Sequence, residues 1–139
     1  MNSANNNEAL VRAFFDTWSV SFESMIEGFQ RFVADDCLLI QTRTPDLHGL
    51  GEIIPFLEHV RHAGLMEKME VEVVNVVATE SSVAAERIDV MHMPNGTIGA
   101  RFPCVSVMEV NGDKITGWRD YFDSADMPSG GIAIVNDSN

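Results

Sequence analysis

The chain is short of positive charge and of cysteine. It carries 9 Lys and Arg against 21 Asp and Glu, a formal charge of −12 over 139 residues. That shortage argues against nucleic acid and anionic membranes as partners, because phosphate recognition rests on a basic surface. The two cysteines, Cys37 and Cys104, form no CxxC pair, which argues against a zinc ribbon or a dithiol redox motif. Both lie in apolar runs and are expected as buried free thiols. No stretch approaches the ~18 apolar residues of a membrane span. Met1 to Asn7 is polar and lacks the apolar core of a signal peptide, so a cytoplasmic protein is expected. A Gly-rich phosphate loop, a GxSxG elbow and an HExxH helix are all missing, and there is no internal repeat.

What is present suffices for a core, since 45% of the residues are hydrophobic. The length fits a single domain over 1–139, with about 1–6 and 127–139 as flexible ends or tail. Leu10, Val11, Phe14, Phe15 and Trp18 form a helix-period stripe. Ser21 is a candidate N-cap for a second stripe, Met25, Ile26, Phe29, Phe32 and Val33. A third helix is predicted over Glu52–His62, stopped near Gly64. The period then changes. Met69–Ala78 holds five valines, and 83–93, 97–110 and 114–122 alternate or are β-branched, with Asn-Gly turns between them. One further strand, Cys37–Arg43, falls between the second and third helices. The predicted fold class is α+β, a curved mixed or antiparallel sheet with helices on its concave face enclosing a pocket.

Strand alternation puts charge among apolar side chains. Val83, Ala85, Arg87, Asp89, Met91 and Met93 share one face, and Glu86 and His92 lie on the other. In the last strand the corresponding set is Thr116, Trp118, Asp120 and Phe122. A carboxylate aimed at an apolar interior is costly unless paired, and an unpaired one tends to take up a proton. Arg87 is the obvious partner, because a guanidinium can bond two carboxylates at once. Two carboxyls around one cation favour one shared proton, which supplies a general acid and a general base together. The same cluster also fits a purely structural network, and a reversed register would turn Glu86 and His92 inward instead. His59 and His62, at i and i+3 on the third helix, lack a third metal ligand and read as a solvated face, so no metal is expected. His48 reads as a turn or rim residue.

The run Glu86-Arg87-Ile88-Asp89-Val90 and the run Lys114-Ile115-Thr116-Gly117-Trp118-Arg119-Asp120-Tyr121-Phe122-Asp123 resemble the limonene-1,2-epoxide hydrolase family. That family lies within the NTF2-like, SnoaL-like superfamily of cone-shaped α+β folds. The resemblance is close over about 83–123 and looser over 36–57. It implies a catalytic triad of Arg87, Asp89 and Asp120 that opens an apolar, cyclic or terpenoid-like epoxide to a vicinal diol in one step. Asp120 would be the base acting on water, Asp89 the acid and Arg87 the bridge, with no cofactor. The family's Tyr and Asn that hold the water are replaced by Leu39 and Gln41, so Gln41 is the water-positioning candidate. Leu39, Met91, Phe102 and Trp118 are read as substrate-facing. The alternatives are a SnoaL-like isomerase or cyclase acting on an epoxide or polyketide-type substrate, and a non-catalytic small-molecule binding protein. Superfamily analogy adds a homodimer through the exposed sheet face.

Overall fold

A computed structural model of the chain describes residues 2–126. The sequence reading of 127–139 as a tail lies outside these residues.

Three helices precede or interrupt a six-stranded sheet. The order is α1 (Ala4–Val20), α2 (Phe22–Phe32), β1 (Val33–Gln41), β2 (Thr44–His48), α3 (Leu50–His62), β3 (Lys68–Ala78), β4 (Ser82–His92), β5 (Ile98–Asn111), β6 (Lys114–Tyr121) and a short 3₁₀ turn. Spatially the strands run β2-β1-β6-β5-β4-β3. The pairings are antiparallel except β1 with β6, which is parallel, so the sheet is mixed and open. The parallel pair follows from the intervening helix and hairpins, which return the last strand beside the first.

Local signals account for the helix boundaries. Ser21 caps α2 by accepting the Ser24 N–H at 3.0 Å. Ser3 does the same for α1, accepting from Asn6 at 3.1 Å. Asn2 bonds the Gly112 carbonyl at 2.8 Å, so the residues read as a loose end open α1 and reach the β5–β6 hairpin. Gly49 opens α3 with φ +79°, and a Cβ there would lie 2.4 Å from the Asp35 carbonyl oxygen. Only glycine meets both conditions. Gly64, also at positive φ, follows the end of α3.

Three expectations need correction. The strand placed at Cys37–Arg43 begins at Val33, which leaves the helical stripe because it is the C-cap of α2 with extended backbone. β2, missed in the sequence, is a five-residue edge strand containing Pro45, too short and too polar to show alternation. Thr116 does not share a face with Trp118 and Asp120. Glu109 pairs with Gly117 and Val110 with Ile115, so Thr116 is the extra residue of a β-bulge and is exposed, while Ile115 turns inward.

The three helices cover one face of the sheet. Val11, Phe14, Phe15 and Trp18 of α1 and Met25 and Phe29 of α2 are buried in one core with Trp118 of β6. Phe29 stacks on Trp118 with ring centres 5.7 Å apart, and Phe14 meets it edge-on at 5.4 Å. Each aromatic buries ~150–250 Å² and dominates such a core. Gly28 allows α2 to approach α1 closely, since a Cβ there would fall 2.1 Å from Thr17 Oγ1.

Candidate active site

The inward faces of β4, β5 and β6 bring buried polar groups together beneath α1. Alternation on β4 turns Val83, Ala85, Arg87, Asp89 and Met91 inward, as the sequence predicts. β5 contributes Phe102, Cys104 and Ser106 from the same face, and β6 contributes Trp118 and Asp120. Arg87, Asp89 and Asp120 are 1%, 3% and 7% exposed. Glu86 is exposed and His92 lies on the outer face, its ring 2.8 Å from Glu70.

Arg87 bonds both carboxyls. Its Nε donates to Asp89 Oδ1 at 2.8 Å and its Nη2 to Asp120 Oδ2 at 2.8 Å. Longer bonds of 3.2 Å run from Nη2 to Asp89 Oδ2 and from Nη1 to Asp120 Oδ1. The guanidinium carbon also lies 4.6 Å from the ring centre of Phe15 and 5.7 Å from that of Trp18, so α1 roofs the cation with aromatic faces. Burial alone would push the guanidinium down, and the charges of Asp120 and Asp89 outweigh it and hold Arg87 well above its ordinary range.

The two carboxyls have unequal surroundings. Asp120 Oδ1 accepts from Ser106 Oγ at 2.6 Å and from Trp118 Nε1 at 2.5 Å as well as from Arg87. Asp89 has Arg87 as its one hydrogen-bond partner among the described residues. Burial pushes the Asp89 carboxyl above its ordinary 3.8, over the opposing charge and hydrogen bonds of Arg87, and the Asp120 charge adds to the rise. Several donors stabilise the charged form of a carboxyl, while burial favours its neutral form. Burial thus favours the neutral form of Asp89, while Asp120 meets the larger set of donors.

Both acids border a cavity of about 60 Å³, above the ~10–15 Å³ that one water requires. All the residues singled out in the sequence meet there: the triad, Leu39 and Gln41 from β1, and Met91, Phe102 and Trp118. Gln41 stands beside Asp120 in the parallel β1–β6 register, and Leu39 beside Trp118. The wall opposite the acids comes from α3, with Ile53, Phe56, Leu57 and Val60. Met25, Met66 and Met69 also line the space. Methionine is flexible at three bonds, so this wall can adapt to the shape of a ligand.

Ser106 was not anticipated. Its signal was available: it is the one hydroxyl in the inward row Ala100, Phe102, Cys104, Ser106, Met108 and Val110. Cys37 and Cys104 are both buried and free, and burial pushes Cys37 up to about 12 and Cys104 higher still, so both remain thiols. His48, His59 and His62 are exposed, outside the cavity. Among the described residues, no three His, Cys, Asp or Glu side chains are grouped to hold a metal ion.

Comparison with known proteins bears on the family and the fold. The limonene-1,2-epoxide hydrolase catalytic domain matches residues 5–132. An LEH-like epoxide hydrolase from M. tuberculosis superposes with a TM-score of 0.71 at 22% identity, covering 98% of both chains. A protein assigned as a SnoaL-like polyketide cyclase from Jannaschia sp. CCS1 gives 0.74 at 15% identity, covering 94% of this chain and 93% of its own. An NTF2-like protein from Burkholderia pseudomallei K96243 gives 0.70 at 19%, covering 86% and 92%. At these identities the structural likeness establishes the NTF2-like, SnoaL-like fold.

Proposed function

The chain belongs to the limonene-1,2-epoxide hydrolase family, and from that premise we propose that it adds water to an apolar epoxide to give a vicinal diol in one step. The observation that carries this reading is the unequal pair of carboxyls bridged by one buried arginine. Asp120, with donors from three residues, takes a proton from a water as the water oxygen bonds to an epoxide carbon. The C–O bond of the ring breaks, and the leaving oxygen receives the proton held by Asp89. One proton has then moved onto Asp120 and one off Asp89. Arg87 touches both, so the return of the proton between them restores the starting state with no change in net charge. Each such proton transfer contributes roughly 10²–10⁴-fold to rate.

Gln41 is the proposed water-positioning residue, as its amide can both donate and accept and it borders the cavity beside Asp120. Leu39, Met91, Phe102 and Trp118 are the proposed substrate contacts, and the apolar wall suits a cyclic or terpenoid-like hydrocarbon frame. A second reading draws on Leu39. With Gln41 the one uncharged amide or hydroxyl on the described cavity wall, an internal hydroxyl of the substrate could replace water and close a cyclic ether. The exposed outer face of the sheet, where Val105 pairs with Tyr121, supports association of two copies.

Limonene oxide, cyclohexene oxide and styrene oxide, with chiral analysis of the products, test the reading. Diol is expected well above the buffer rate. Its absence across a broad epoxide panel contradicts hydrolysis, and cyclic ether from a hydroxy-epoxide selects the second reading. A protein that only binds shows no turnover for Asp120→Asn to remove, and that substitution lowers its thermal stability or its ligand affinity instead.

A further inference from the structure

We propose that Ser106 is a positioning residue for the base: its hydroxyl occupies Oδ1 of Asp120 and leaves Oδ2 as the oxygen that takes the proton from water. This deepens the epoxide-opening reading and rests on it. Ser106 is fully buried, and its Oγ meets three groups. Arg87 Nη1 donates to it through a short contact, Trp118 Nε1 lies 3.3 Å away, and Asp120 Oδ1 lies 2.6 Å away. Arginine and tryptophan side chains can only donate. The one acceptor among the three is Asp120, so the single hydroxyl proton of Ser106 must point at Oδ1.

The consequence falls on Asp120. Oδ1 has two lone pairs and meets three donors, from Ser106, Trp118 and Arg87. Among the described residues Oδ2 meets one, Arg87 Nη2 at 2.8 Å, which leaves a lone pair for the water proton. The carboxylate is thus clamped at one oxygen and available at the other. Ser106 also bridges β5 to the arginine of β4 and the tryptophan of β6, so one hydroxyl registers the three strands at the site. Removing that hydroxyl withdraws a donor from the charged form of the base and frees the carboxyl to rotate.

The titratable groups facing Asp120 are few. β4 presents Arg87 and Asp89, and β5 presents the Cys104 thiol, which burial keeps protonated. β1 presents the uncharged Gln41, and the helices present apolar and aromatic side chains to the cavity. A shift in the pH response of Asp120 on changing Ser106 therefore has few competing sources.

The test compares the parent protein with Ser106→Ala and with Ser106→Cys, whose thiol is a poor donor of similar size. With ¹³Cγ-labelled aspartate, the pH at which the Asp120 signal moves is expected to rise by about one unit or more in both variants. The acidic limb of kcat/KM on the epoxide should rise with it, and kcat on the plateau should fall roughly tenfold with KM little changed. In the parent protein, which requires no substitution to fold, the Ser106 hydroxyl proton should exchange slowly and be lost as Asp120 is protonated. An unmoved Asp120 signal in a folded variant, or a Ser106 hydroxyl exchanging freely at every pH, overturns the proposal. A shifted signal in a protein that opens no epoxide instead overturns the base role, and with it the hydrolase reading.

Discussion

At the scale of single residues, the proposed chemistry and the stability of the site turn on the same proton. In the proposed resting state Arg87, Asp120 as carboxylate and Asp89 as acid sum to no net charge, at a site almost closed to solvent. Either acid can then be lost at modest cost. In Asp120→Asn, Asp89 gives up its proton and remains paired with Arg87; in Asp89→Asn, Asp120 already pairs with it. Each single variant is expected to fold with a Tm near the parent's while losing turnover by 10²-fold or more. The double variant strands the cation, which costs roughly 3–5 kcal/mol for a broken buried pair. Denaturant unfolding of all four proteins checks that non-additivity. A pH prediction follows from Asp89, whose folded value is raised above its ordinary 3.8. The folded state holds that proton more tightly, so the contribution is full below 3.8 and is lost as pH rises through the raised value. The stability gap between Asp89→Asn and the parent should therefore move in favour of the variant across that range and then level off, as melting curves over pH will measure. Arg87 and Asp89 were legible because a regular strand puts i and i+2 on one face. Ser106 obeys the same rule and stands out as the one hydroxyl of an apolar row, but its partners on β4 and β6 follow only from the strand pairing.

At the scale of elements, the helices hold the site by fixing Trp118. Phe14 and Phe29 grip its ring, and its Nε1 donates to Asp120, so the α1–α2 contact reaches Asp120 through one side chain. Gly28 sets that contact. Gly28→Ala drives a Cβ against Thr17 Oγ1 and is expected to destabilise by about 1–3 kcal/mol, with a fall in kcat as Trp118 shifts. Thr17→Ala removes the nearest atom but leaves its own Cβ 2.9 Å from the new one, so the double variant should regain only part of both losses, measured by thermal melting and turnover. Helices with clear stripes and strands with clean alternation were readable from the chain. β2 was not, because an edge strand with a proline and exposed side chains carries neither period. The Thr116 bulge was not either: an extra residue in a ladder depends on the partner strand, and it left Trp118 and Asp120 inward while moving Thr116 out.

At the scale of the molecule, a formal charge of −12 surrounds a site that carries none in the proposed resting state. Acidic side chains populate the surface, while the reactive groups sit under the helices at an apolar cavity lined by adaptable methionines. The outer sheet face exposes Leu38, Val105 and Tyr121, and paired substitutions Val105→Lys and Tyr121→Lys should shift sedimentation to a single copy if two copies associate there. In the proposed reaction water attacks the epoxide directly, with Asp120 as base rather than nucleophile. A single-turnover reaction in ¹⁸O-water, with protein in excess over epoxide, addresses it most directly. One solvent-derived ¹⁸O in every diol molecule, with no label entering the Asp120 carboxyl, is the predicted result. Diol bearing unlabelled oxygen from the protein, with ¹⁸O appearing in Asp120 after turnover, would contradict it.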